Sequence, residues 1–274
     1  MRLLGLHQMS AMDTQATDLI SLAAKLGCQN VCLFVNVEKT PFPEEVVRDV
    51  LRRFPLVSSV NKREVLARMA DTGVSVSNLE FFPITANISV EDYRSVLDLG
   101  AELGGKRIVT HIYDTEFERA ASKLAALADL AATRRMAVGI EFMSMSACDS
   151  IFKGIDIIRR SGSSNVGVGV DFLHLVRTGG TPADVATVPP EFISYAQICD
   201  GTDLLVKSDY TADAVDRTIP GEGCFPIAGI LEALPRNTAI DVEVPARRLQ
   251  EQGVPAFDRL RPAVEASRRL IEAR

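Results

Sequence analysis

Strand-like and helix-like segments alternate along the whole chain, and this alternation limits the possible folds more than any other feature of the sequence. Eight apolar runs read as strands: residues 3–9, 30–36, 76–84, 106–114, 137–145, 166–175, 192–201 and 238–245. A helix between two strands returns the chain to the same end of the sheet, so the alternation predicts a parallel sheet. Eight such units fit a closed α/β barrel, the (β/α)8 or TIM barrel, which usually takes about 250 residues. We therefore expect one TIM-barrel domain over residues 1–274.

Capping residues and periodicity predict where several of the helices begin and end. The first helix should begin after Asp13 and end at Gly27. Two amphipathic helices, within 41–54 and 61–73, should separate the second and third strands, and a further helix should begin at Ser89. These boundaries place the polar residues discussed below at the ends of strands.

Charge and cysteine content exclude several classes of protein. The net charge is −6 without a cluster of Lys or Arg, so we expect no nucleic-acid partner. Five cysteines without a CxxC pair indicate free thiols in the cytoplasm. Apolar runs stay well below the roughly 20 residues that span a bilayer, so we expect no membrane association. No glycine-rich phosphate loop is present. A small-molecule substrate is the expected partner, and the sequence leaves a homo-oligomer open.

Four side chains with oxygen atoms occupy the carboxyl ends of the last four predicted strands: Glu141, Asp171, Gln197 and Glu243. One acid at a strand end is weak evidence, since helix N-caps also use Asp. The set is stronger, because the active sites of TIM barrels lie at this end of the strands and neighbouring strands would bring all four together. Three carboxylates in one pocket repel one another unless a cation neutralises them. Oxygen ligands favour Mn²⁺ or Mg²⁺, with Co²⁺ or Zn²⁺ as alternatives.

Other candidate residues lie close to the same strand ends. His174 follows Asp171 by three positions, His111 ends the fourth strand, and His7 lies in the first strand, where packing is the simpler interpretation. Arg217 occupies a Pro/Gly-rich loop; it can pair with an acid such as Glu222 or bind a substrate through its planar fork of donors. Cys199 reads as a buried thiol, since no base is near it in sequence.

Five short motifs together resemble the xylose-isomerase-like TIM-barrel superfamily, which includes sugar and sugar-phosphate isomerases and epimerases. They are IEF at 140–142, VDFLH at 170–174, QICDG at 197–201, RTIPGEG at 217–223 and VEV at 242–244. The resemblance implies that the four oxygen-bearing residues are metal ligands and that His174 and Arg217 contact the substrate.

Gln197 departs from the ketose 3-epimerases of the superfamily, which generally have His at the third ligand. Gln at this position is the pattern of the hydroxypyruvate isomerases and 3-dehydroshikimate dehydratases. Endonuclease IV shares the fold, but its trinuclear site needs more histidines than the three in this chain.

The resemblance and the residues together predict proton transfer next to a carbonyl group. A small hydroxy-ketone (a sugar, sugar phosphate or keto acid) would bind one divalent ion, and Glu141 and Glu243 would remove and return a proton through a metal-stabilised enediolate. His174, Arg217 and His111 would bind the substrate. Isomerisation or epimerisation is the first hypothesis, dehydration of the 3-dehydroshikimate dehydratase type the second, and a non-catalytic ligand-binding barrel the third. A metal-dependent hydrolase would normally bring more histidine ligands.

Overall fold

Eight parallel strands form a closed barrel in which each strand pairs with its neighbours in sequence and β8 pairs with β1. The computed structural model describes residues 2–37 and 55–274. The strands are β1 Leu4–His7, β2 Asn30–Phe34, β3 Ser75–Glu80, β4 Arg107–Thr110, β5 Ala137–Glu141, β6 Val166–Asp171, β7 Ile193–Ile198 and β8 Ile240–Val242. The predicted TIM barrel is confirmed.

Helices follow the strands on the outside of the barrel. Among the described residues the α-helices are α1 Ala16–Lys25, α2 Lys62–Thr72, α3 Arg94–Glu102, α4 Phe117–Ala132, α5 Ile151–Ser161, α6 Phe172–Arg177, α7 Pro182–Thr187, α8 Thr211–Val215, α9 Ile227–Ala233, α10 Arg247–Glu251 and α11 Ala256–Glu272. Short 3₁₀ turns cover Gln8–Ala11, Val90–Tyr93 and Pro190–Phe192. None of these helices is long and apolar enough to cross a membrane.

Two predicted helix starts differ from the structure. Helix α1 begins after Gln15 rather than Asp13, whose carboxylate instead pairs with the buried Arg259. Ser89 does precede a helical segment, but its side chain makes no capping hydrogen bond and the segment opens with a 3₁₀ turn. Gly27 ends α1 as predicted, with a left-handed φ of 71°. The predicted helix at 41–54 lies outside the described residues.

Glycines inside the barrel make room for one large aromatic ring. Tyr195 of β7 is fully buried, and a Cβ atom at Gly169 would lie 2.2 Å from its ring. A Cβ atom at Gly139 would lie 2.5 Å from the same ring. Side chains must interdigitate within such a barrel, so small residues on β5 and β6 compensate for the tyrosine on β7. The alternating glycines of 166–171 therefore serve packing below the strand ends.

A polar layer lies deeper in the barrel. The Asp241 carboxylate accepts hydrogen bonds from Asn78 Nδ2 at 2.6 Å and from Ser77 Oγ at 3.3 Å. The Arg107 guanidinium donates to Asn78 Oδ1 at 2.6 Å. Because each of these buried groups has a partner, we assign this layer to structure rather than to chemistry.

Candidate active site

The four predicted ligand residues converge at the carboxyl ends of β5 to β8. Glu141 and Asp171 are the last residues of their strands, Gln197 is the last but one of β7, and Glu243 directly follows β8. All four are at most 5% exposed. The Gln197 amide nitrogen lies 2.6 Å from Glu243 Oε2 and 3.2 Å from Glu141 Oε2. The barrel thus brings together the residues that the sequence places on separate strands.

The Gln197 side chain provides a test of whether a cation fits this pocket. Its amide nitrogen bridges two carboxylates, while its buried Oε1 finds no hydrogen-bond partner in the described part of the chain. The two amide atoms are interchangeable by rotation about one bond. Turning the oxygen towards the carboxylates is favourable only with a positive ion between them. The donor set therefore fits a divalent metal ion.

Asp171 has a structural function as well. Its Oδ1 accepts hydrogen bonds from the backbone amides of Leu173 at 2.6 Å and His174 at 3.1 Å, which caps α6. Its Oδ2 faces Arg217. Because these two hydrogen bonds hold the carboxylate, the first turn of α6 fixes where the Asp171 side chain lies.

Arg217 lies against two of the predicted ligands. Its Nη1 and Nη2 are each 2.6 Å from a carboxylate oxygen, Asp171 Oδ2 and Glu243 Oε1. The side chain is only 2% exposed. Its acid partners are thus these two residues rather than Glu222, the alternative raised by the sequence. One guanidinium cannot neutralise the three carboxylates, so the cluster still favours an added cation.

The two candidate histidines of this half of the barrel differ in their contacts. His174 has Nε2 at 3.1 Å from Glu141 Oε1 and Nδ1 at 2.8 Å from the hydroxyl of Tyr210. Glu141, Asp171 and His174 bring ligand atoms within 4.8 Å of one another. His111 Nε2 lies 3.8 Å from Glu141 Oε1, too far for a hydrogen bond. Neither ring nitrogen of His111 has a partner within residues 2–37 and 55–274.

Burial and neighbouring charges move the pKa values of the two glutamates apart. Burial raises the pKa of Glu243 to about 8; Arg217 opposes this rise, and the carboxylates of Asp171 and Glu141 add to it. Burial also acts to raise the pKa of Glu141, but the imidazoles of His111 and His174 outweigh it and hold that pKa well below its usual value. Paired carboxyl groups with separated pKa values are typical of acid–base sites.

A second polar cluster lies at the ends of β1 to β3. Ligand atoms of His7, Cys32 and Glu80 come within 4.8 Å of one another. His7 Nε2 is 2.9 Å from Glu80 Oε1 and 4.0 Å from Glu243 Oε2. Burial and nearby acids raise the pKa of the Cys32 thiol well above its usual value. Glu80 is not predictable from the sequence, because no motif distinguishes it within an apolar strand.

Sequence reasoning also missed Asp200 and Tyr210. Asp200 Oδ2 accepts hydrogen bonds from the amides of Gly221 at 2.9 Å and Gly223 at 3.0 Å, and so shapes the loop that follows Arg217. Its place in the QICDG motif was an available signal. Tyr210 lies in the polar loop after β7, and nothing in the sequence connects it with His174.

Comparison with known proteins gives one relative of known activity and many similar structures. A 3-dehydroshikimate dehydratase from Pseudomonas aeruginosa is 30% identical over 112 residues, which are 40% of this chain and 18% of that protein's length. The crystal structure of IolI protein with a bound zinc atom superposes with a TM-score of 0.81 at 16% identity, covering 100% of this chain and 99% of IolI. An L-ribulose 3-epimerase superposes with a TM-score of 0.73 at 15% identity, over 100% of this chain and 95% of the epimerase.

The sequence profile of one family spans nearly the whole barrel. Its match runs over residues 20–272, from the first helix to the last, and includes the four strand ends with the predicted ligand residues. With the closed eight-stranded barrel already established, this chain belongs to the xylose isomerase-like TIM barrel family.

Proposed function

We propose that the protein is a divalent-metal-dependent enzyme that moves a proton on the carbon next to the carbonyl group of a small hydroxy-ketone, as an isomerase or epimerase. The substrate would be a sugar, a sugar phosphate or a keto acid. The observation that carries the proposal is the convergence of three buried carboxylates and the Gln197 amide, whose oxygen lacks a partner among the described residues.

Glu141, Asp171, Gln197 and Glu243 would hold the metal ion. When bound, the ion would polarise the substrate carbonyl and so lower the pKa of the adjacent C–H group. The oxygen-rich ligand set favours Mn²⁺ or Mg²⁺. Co²⁺ and Zn²⁺ remain alternatives, and the zinc of IolI supports including the latter.

The two glutamates would transfer the proton. Gln197 bridges them, so their carboxylates lie on either side of its amide group. Glu243, whose pKa burial raises to about 8, suits a group that takes up and returns a proton. Glu141, whose pKa is low, suits the carboxylate that is ionised before the reaction and can accept the substrate proton, and its Oε1 lies 3.1 Å from His174 Nε2.

The substrate would be oriented by His174, Arg217 and His111. The ring nitrogens of His111 have no hydrogen-bond partner in the part of the chain that the structure describes, and this supports the role, since a buried polar group without a partner is costly unless a ligand supplies one. The ring also stacks on Phe81, with centroids 5.6 Å apart, so its plane is fixed. Arg217 would add positive charge next to substrate oxygens while holding Asp171 and Glu243.

Dehydration is the second candidate function. A relative at 30% identity over 40% of this chain is a 3-dehydroshikimate dehydratase. By the resemblance that the sequence motifs carry, Gln197 matches the pattern of that group rather than that of the ketose 3-epimerases. The first step, removal of a proton next to a carbonyl, would be the same. The outcomes differ in whether the proton returns or a β-hydroxyl group leaves with a proton as water.

Incubation of Mn²⁺-loaded protein with hydroxy-ketones and 3-dehydroshikimate in D₂O distinguishes these outcomes by NMR. Deuterium incorporation without loss of water from the compound identifies an isomerase or epimerase. Formation of an unsaturated product identifies a dehydratase. Absence of both reactions with every compound, in protein shown to hold metal, would refute the enzymatic proposal and favour a ligand-binding barrel.

A further inference from the structure

The short helix α6 connects the ligand cluster with the loop that follows β7. Asp171 caps this helix, His174 faces Glu141, and Arg177 ends the helix with only 1% exposure. Arg177 Nε donates to Asp213 Oδ2 at 2.8 Å, and its Nη1 donates to the carbonyl of Asp203 at 2.8 Å. One helix therefore positions a residue of the candidate site and holds the loop.

We call residues 203–213 the β7 loop. Lys207 adds two ion pairs within this loop: its Nζ lies 2.8 Å from Asp213 Oδ2 and 3.2 Å from Asp203 Oδ2. Tyr210, near the end of this loop, is 2% exposed, and its ring centroid lies 5.4 Å from that of His174. These ion pairs therefore place a buried phenol against the imidazole of His174.

Hydrogen-bond donors and acceptors around the phenol fix its role. The backbone amide of Ser144 can only donate, so the Tyr210 oxygen, 2.9 Å away, accepts this bond. The phenol proton is then free to be donated to His174 Nδ1 at 2.8 Å. If His174 carries a proton on both ring nitrogens, the phenol oxygen accepts the Nδ1 proton through its second lone pair. In either case the proton on Nε2 points to Glu141 Oε1 at 3.1 Å.

We propose that Tyr210 is a positioning residue that fixes the ring of His174 so that Nε2–H is directed at Glu141 and the reacting part of the substrate. The β7 loop thereby belongs to the active site, although it contributes no ligand. The inference rests on the proposed function for its effect on turnover, but the contact itself is testable without any substrate. The flexible phenol proton allows the same ring orientation in both charge states of His174.

Histidine labelling tests the contact directly, because the chain has only three histidines. Protein labelled with ¹⁵N-histidine should show one Nδ1 signal in the range of a hydrogen-bonded nitrogen that shifts in Tyr210→Phe, while the signals of His7 and His111 stay in place. Tyr93→Phe is the matched control: it removes another buried phenol, whose hydroxyl donates to the carbonyl of Pro83 at 2.5 Å. Tyr93→Phe should leave all three histidines unchanged.

Turnover tests the functional part of the inference. With a compound that reacts in the D₂O assay, Tyr210→Phe should lower kcat by on the order of 10-fold, as for other residues that orient a catalytic group, with KM and metal content unchanged. Unchanged His174 signals in Tyr210→Phe would overturn the inference, and so would a shifted signal with wild-type kcat. Failure of the wild-type protein to react would instead refute the proposed function and leave the contact to the NMR result.

Discussion

The two polar clusters at the carboxyl ends of the strands contain similar residue types but differ in how many hydrogen-bond donors they hold. At β1 to β3, His7 Nδ1 accepts the amide of Met9 at 3.1 Å, so its ring proton is on Nε2, towards Glu80. A histidine that binds metal through Nε2 normally donates its other N–H. His7 cannot do so in this arrangement. His7 is therefore not arranged to bind an ion through Nε2.

At β5 to β8 three carboxylates face one guanidinium, and one acceptor in the described part of the chain is left over. Three carboxylates share Arg217, His174 and the Gln197 amide, and an amide oxygen still lacks a partner among the described residues. A cation bound at β5 to β8 would offset the excess negative charge, whereas a cation bound at β1 to β3 would break the His7–Glu80 hydrogen bond. Close spacing of His, Cys, Asp and Glu side chains is therefore insufficient evidence for a metal site. The positions of their protons determine whether the side chains can bind an ion.

The largest expected effect is on metal affinity. Asp171→Asn keeps an oxygen to cap α6 but removes a negative ligand, so Mn²⁺ affinity should fall by more than the roughly 10- to 100-fold expected from losing a partner of a ligand. Asp171→Ala should abolish loading. Glu80→Gln, the matched change in the other cluster, should bind Mn²⁺ within a few-fold of wild type. Isothermal titration calorimetry measures all three, and equal losses in Asp171→Asn and Glu80→Gln would contradict the assignment.

The second-largest expected effect is on the rate of proton transfer, which should fall when either glutamate loses its basic carboxylate. Glu243→Gln keeps a coordinating oxygen, so its metal site should refill at saturating Mn²⁺, yet deuterium exchange into the substrate should fall by a factor on the order of 10² or more. Glu141→Gln provides the parallel measurement on the opposite glutamate. Full recovery of exchange by added metal in both variants would leave the two-glutamate mechanism unsupported.

Metal affinity should also depend on pH through Glu243. Its pKa of about 8 in the metal-free protein means that metal must displace a proton below that pH, so affinity should rise as pH approaches 8, by at most about tenfold per unit. In the metal-free protein, the free energy of unfolding changes with pH in the opposite direction to the metal affinity. The folded state binds this proton and the unfolded state does not between roughly pH 4.3 and 8, so metal-free stability falls as pH rises. Titrations at several pH values, with Glu243→Gln as the variant without this dependence, measure the effect.

Arg217 should give the smallest of these effects. Arg217→Lys keeps the charge but cannot reach Asp171 and Glu243 together, so we expect a raised KM and metal affinity lower by about tenfold. Arg259→Lys is the control, because this buried arginine pairs with Asp13 rather than with Asp171 or Glu243. Wild-type KM and metal affinity in Arg217→Lys would show that the guanidinium fork is dispensable.

The sequence by itself predicts the barrel and the four strand-end residues. Strand and helix periodicities are local properties, and eight repeats of them permit few closed arrangements, so Glu141, Asp171, Gln197 and Glu243 could be placed on neighbouring strands. The start of α1 does not follow from the local sequence. Asp13 is a residue type that often caps helices, but its carboxylate forms an ion pair with Arg259, far away in sequence, instead of capping α1. Local signals cannot include such long-range partners.

Only the tertiary structure decided how the site is completed. Glu80 and Tyr210 carry no motif, and their contacts with His7 and His174 join residues 73 and 36 positions apart. Side-chain packing across several strands likewise decides that Arg217 lies between two carboxylates. It also decides that the Gln197 oxygen has no partner within residues 2–37 and 55–274. Residue types along a chain determine which ligands are available. The three-dimensional arrangement of donors and acceptors determines which of them still need an ion or a substrate.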